Sequence, residues 1–190
     1  MADNAAAHPR SAGQRAAASA AAVLLTGAAV AVGLGVYARE HQPALRPLYL
    51  FGFSGMLQMK TWFATAVLVL AQVASASWMW NRLPGAGPSP SWLPGVHRWT
   101  GALAFVVSVP VALHCLWSLG FVTSTPRVLV HSIAGCAFYG AYAAKMLALR
   151  LRALPGWTLP VLGGLVFAVF ITLWLTSALW FFTRSGLPLT

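Results

Sequence analysis

The sequence predicts an all-α integral membrane helical bundle of about five transmembrane helices, and three observations carry that expectation. Of its 190 residues 59% are hydrophobic and 7% charged, where a soluble domain carries roughly one-quarter charged residues. The charges bracket long apolar runs instead of being spread between them. Five of those runs reach the ~20 residues that a helix needs to cross a hydrocarbon layer of ~30 Å.

The first run, about 16–38, lies between Arg15 and Arg39; the second, about 61–81, lies between Lys60 and Arg82. A cleaved signal peptide would have a shorter apolar core followed by an A-x-A site, and neither describes the first run. The third span covers about 97–120, the fourth about 126–149 with Lys145 snorkelling, and the fifth about 161–182. Residues 1–15, Ala-rich and polar, are expected as a disordered cytoplasmic tail, and 183–190 as a C-terminal tail. Residues 40–59, with Pro43 and Pro47 ahead of a short aromatic stretch, are expected along the outer interface. The Pro/Gly/Ser-rich residues 83–95 read as an inner linker, and 16–182 form one transmembrane domain.

With the N-terminus inside, Arg10, Arg15, Arg82, Arg98, Lys145, Arg150 and Arg152 fall inside, against Arg39, Arg46, Lys60, Arg127 and Arg184 outside. The positive-inside rule therefore expects a multi-pass protein of the plasma (inner) membrane with a cytoplasmic N-terminus. Cations on both faces do not make a nucleic-acid groove, so no nucleic-acid partner is expected. Asp3 and Glu40 are the only acids, and neither lies in a span. Carboxylate acid/base enzymes, zinc hydrolases and proton-coupled transporters lose their usual machinery. Cys115 and Cys136 lack C-x-x-C spacing and read as small buried residues.

Histidine remains. His114 lies about a turn and a half before the end of helix three, and His131 as far into helix four, where Thr125 suits the N-cap and Pro126 the first helical position. Antiparallel packing brings both to one depth near the outer surface, and two neutral imidazoles from neighbouring helices are what a bis-histidine haem iron requires. Gly135 is four residues beyond His131. Ser132, Cys136, Gly140 and Ala144 form a second small-residue row, so that one row admits a haem and the other a close helix. Pro110 frees the Val106 carbonyl and allows a bend before His114. Trp117, one turn beyond His114, is expected to pack on the ring. Arg127, one turn before His131, is placed to meet a haem propionate with Lys60 or Arg46 as a second cation, unless it is only a membrane flank.

HRWTG at 97–101 and HSIAG at 131–135 have the H-x-x-x-G form of transmembrane b-type cytochromes, and helices three and four resemble the cytochrome b561 and ferric-reductase-like groups. The block from His97 to Arg150 also resembles an uncharacterised family of actinobacterial multi-pass membrane proteins. The first resemblance implies haem b; the second implies the fold without a reaction. Members of the cytochrome groups mostly use four helical histidines for two haems, whereas helices one, two and five have none here. His97 lies 17 residues, or about 25 Å of helix, from His114, so the two cannot share an iron. His97 is left either for a second, inner site with Met79 or a dimer mate, or as an interfacial histidine without a ligand. His8 and His41 are expected in solvent.

The leading expectation is thus a membrane b-type cytochrome with one haem b between His114 and His131. It would exchange electrons with a quinone or an external redox protein, as an electron-transfer component and not a bond-making enzyme. Two other readings stand beside it. One is a haem-free accessory or assembly subunit packing against a larger membrane complex or a homodimer. The other is a copper-handling protein using His114, Cys115, His131 and Cys136.

Overall fold

A computed structural model describes residues 11–41 and 55–185, the side chains of 55–60, Trp62 and Ser185 apart. The described residues form five helical rods: α1 (Ala12–Glu40), α2 (Gly55–Met79), α3 (Leu93–His114), α4 (Pro126–Ala148) and α5 (Thr158–Trp174). A wide π-helical turn extends α3 over Cys115–Leu119, and another, Leu175–Leu179, carries α5 on into Trp180–Ser185. Ala12–Glu40, Leu93–Leu119 and Thr158–Arg184 are each long and apolar enough to cross a membrane. Leu24, Leu25, Val106 and Val161, all more than half exposed, point away from the protein, as suits side chains that face lipid.

Several boundaries move outward from the sequence expectation. α1 starts at Ala12 because Ser11 accepts from the Gln14 amide while the Gln14 side chain accepts from the Ser11 amide, a capping box that satisfies two orphan donors. Residues 11–15 are therefore cap and helix and not tail; residues 1–10, with His8, lie outside the described residues. Gly55–Lys60 is helical and forms the start of α2, while 42–54, including Arg46, lie outside the described residues. α3 starts at Leu93, inside the expected linker, and 183–185 continue the last helix.

α4 is the centre of one group, packed by α1 on one side and α5 on the other, and α2 packs on α3 as a second group that meets the first through side chains, Ser108 with Tyr139 and Phe105 with Tyr142. The small-residue row on α4 makes the first contact possible. A Cβ on Gly140 would lie 2.5 Å from the Gly27 carbonyl oxygen and 2.8 Å from the Ala31 Cβ, so only glycine permits this approach. Gln72 joins α2 to α3 by donating to the His97 carbonyl oxygen and the Thr100 hydroxyl, both at 2.5 Å. Val111, Ala134, Phe138, Phe170, Leu173 and Ala178 form the core between α3, α4 and α5.

Towards their joining loop, α3 and α4 do not pack directly. Their backbones make hardly any close contact, and the seam between the two groups opens there into a cavity.

Candidate functional site

The cavity has a volume of about 470 Å³, within the range of small-molecule sites. The last turns of α1, the end of α3, the first turns of α4 and the wide turn of α5 form its walls. Both histidines singled out by the sequence line it, His114 from α3 and His131 from α4, as do Gly135 and Arg127. The two imidazoles line one shared space, and around it the α3 and α4 backbones stay apart instead of packing directly as expected.

The loop between them is built to close this end of the cavity. Gly120 has φ 70° and ψ −170°, a conformation open to glycine and strained for other residues. Its amide donates to the Cys115 carbonyl at 2.9 Å and ends the wide turn. Phe121 N–H donates to the Ala38 carbonyl of α1 at 2.8 Å, and the Ser132 hydroxyl of α4 donates to the Val122 carbonyl at 3.1 Å. α4 begins where the sequence indicates, with the Thr125 hydroxyl accepting from the Val128 amide and Pro126 in the first turn.

Thr176 organises one wall. Its hydroxyl donates to the Thr172 carbonyl at 2.7 Å, which spends its only proton, so the contact of 3.0 Å between Thr176 Oγ1 and His131 Nδ1 is an N–H donation from the imidazole. His131 then carries its proton on Nδ1 and presents an unprotonated Nε2, the form in which histidine ligates a metal. The Thr176 carbonyl accepts from Arg127 at 2.5 Å, and the guanidinium lies 4.0 Å above the Trp180 ring. One residue of α5 thus fixes both polar side chains at this end of α4. The floor is set similarly: Ser108 spends its proton on the Phe105 carbonyl at 2.7 Å and accepts from the Tyr139 hydroxyl at 3.0 Å.

The other expected residues lie elsewhere. Trp117 is not in the wall; its ring is 4.5 Å from that of His41, which stacks on Tyr37 at 5.3 Å. His41 is accordingly half-buried in an aromatic cluster and not in solvent, with Nε2 shielded from water. His97 is far down α3 and outside this cavity, its Nδ1 2.8 Å from the Ser75 hydroxyl. The Lys60 side chain and Arg46 lie outside the described residues. Cys115 and Cys136 are free thiols in the lining. Among the described residues no three His, Cys, Asp or Glu side chains come together, so the copper reading lacks a ligand set. A haem asks the protein for two axial ligands only.

Thr176, Ser108, Tyr139 and Trp180 are absent from the sequence expectation. A signal for the first exists: Thr172, Thr176 and Ser177 are a hydroxyl cluster in an otherwise apolar span.

The fold and site define a helical membrane protein with a ligand-sized chamber at one end of the bundle, equipped with two imidazoles and a guanidinium. The chain belongs to DUF6529, a family of unknown function whose model matches residues 20–189. Among curated proteins and among solved structures, nothing matches it.

Proposed function

We propose that the chain is a membrane b-type cytochrome whose haem sits between α3 and α4 with His114 and His131 as axial ligands. The observation that carries this reading is that both histidines line one cavity, with the Thr176 hydroxyl 3.0 Å from His131 Nδ1. The chemistry of the wall fits the group: it is mostly apolar, Gly135 leaves room beside His131, and Arg127 is the cation suited to a propionate. Bound haem would supply one-electron redox chemistry. The chain's own residues would ligate, orient and exclude water: the Thr176 hydroxyl holds the imidazole plane, and Phe121 and Val122 close the outer end.

By the positive-inside count the N-terminus is cytoplasmic and the cavity faces outward. One haem at that depth cannot carry electrons across the bilayer alone, so the partner is a quinone in the membrane or a redox protein outside. The test is the absorption spectrum of the protein purified from cells supplied with haem precursor. A reducible low-spin Soret and α band at one haem per chain is expected. A colourless protein that takes up no added haemin overturns the reading in favour of a haem-free accessory subunit.

A further inference from the structure

At the end of the bundle remote from the histidine cavity, a second cleft of about 560 Å³ lies between the first turns of α1 and the chain just after α4. Its lining contains Arg15 and Ser19 from α1 with Arg150 and Arg152 from the α4–α5 connection, and no carboxylate. Three arginines thus line one cleft. The nearest acid among the described residues is Glu40, at the other end of α1 and 25 residues from Arg15, about 37 Å along the helix. Like charges held together repel, and an anion from outside offsets that repulsion.

Two features say which anion. Guanidinium groups present forked donors that match phosphate oxygens, and Ser19 adds a hydroxyl in the same lining. The depth is that of lipid headgroups: Arg15 and Arg39 bracket the apolar part of α1 at a separation of about 36 Å, just beyond a hydrocarbon layer of ~30 Å. Trp157, 66% exposed at the start of α5, marks the same interface. The cleft is also rigidly framed, since Val23, Ala144, Ala148 and Leu162 form a buried cluster joining α1, α4 and α5.

We infer that Arg15, Arg150 and Arg152 form a binding site for a phosphate group, that of an anionic phospholipid seated between α1 and the α4–α5 connection. The site is independent of the haem proposal and lies at the opposite membrane face.

The test compares lipid retention by the purified full-length protein after equilibration in mixed micelles of phosphatidylcholine, phosphatidylglycerol and cardiolipin. The wild type should retain the anionic lipids preferentially. Arg150→Gln with Arg152→Gln should lower that retention roughly tenfold, whereas Arg82→Gln with Arg98→Gln, which removes the same charge outside the cleft, should change it less than about twofold. Arg150→Lys with Arg152→Lys keeps the charge and the fold and should lose part of the binding. Radiolabelled inorganic phosphate, bound without lipid and lost in the same variants, would support the same chemistry with a free anion as its source. Equal loss in the cleft and control variants, or no preference over phosphatidylcholine with no phosphate bound, overturns the site.

Discussion

The Thr176 hydroxyl and the His131 imidazole fix one another: Nδ1 lies 3.0 Å from Oγ1, whose own proton goes to the Thr172 carbonyl 2.7 Å away. Thr176→Val keeps the shape and removes the acceptor. Under the haem reading this variant should bind haem roughly 10–100-fold more weakly, the usual cost of losing a partner behind a ligating histidine. Haemin titration monitored at the Soret band measures it, and unchanged affinity would reduce Thr176 to a packing residue.

The ligand assignment is tested by replacing each histidine. His114→Ala and His131→Ala should each remove the low-spin spectrum or leave a weak high-spin form. His97→Ala and His41→Ala should leave it intact, since neither residue lines the cavity that His114 and His131 share. Loss of half the haem in His97→Ala would reveal a second, inner site.

Arg127→Gln removes a positive charge from the cavity wall while leaving both histidines. A cation near the ring stabilises the reduced form, which carries one more electron, so the midpoint potential should fall, on the order of 50 mV. Redox titration at fixed ionic strength reads the shift. An unchanged potential would assign Arg127 only to its contacts with Thr176 and Trp180.

Gly140→Ala introduces a Cβ only 2.5 Å from the Gly27 carbonyl oxygen. α1 and α4 must separate, at a cost of about 1–3 kcal/mol. The melting temperature should drop by several degrees, while Gly163→Ala, where a Cβ would meet nothing within 4 Å, should leave it nearly unchanged.

Orientation has its own test. In a background with Cys115→Ala and Cys136→Ala, Thr123→Cys should react with an impermeant maleimide added outside intact cells, and Ala153→Cys only after permeabilisation. The reverse pattern would place the N-terminus outside.

The helix count and the bracketing cations are legible in the sequence because the bilayer fixes the length of a span. The division of labour on α4 is legible in part: Gly140 and Ala144 take a close helix and Gly135 faces the cavity, but Ser132 and Cys136 of the Gly140 row line the cavity too. Trp117 departs from expectation for a physical reason. Counting one turn from His114 assumes α-helical pitch, and the π-helical turn over Cys115–Leu119 rotates the side chains it contains, carrying Trp117 round to His41. No local pattern announces that turn. The capping box at Ser11 and Gln14 is present in the sequence, but the residues around it have the composition of a polar tail and mask it. Which helices pair is a tertiary matter: amphipathicity is faint when lipid and core are both apolar, so nothing marks α3 and α4 as neighbours held apart.

The separation of α2 and α3 from the α1, α4 and α5 group has a consequence for how the protein comes apart. His114 and His131 stand on opposite sides of that seam, so a molecule gripped by both acts as a rivet at the end where the α3 and α4 backbones stay apart, beyond the side-chain contacts of Ser108 with Tyr139 and Phe105 with Tyr142. Filled, the bundle should melt as one cooperative unit, strengthened in proportion to the logarithm of ligand concentration. Empty, it should open first along the seam, offering proteases the loop at 120–125 well before either half unravels.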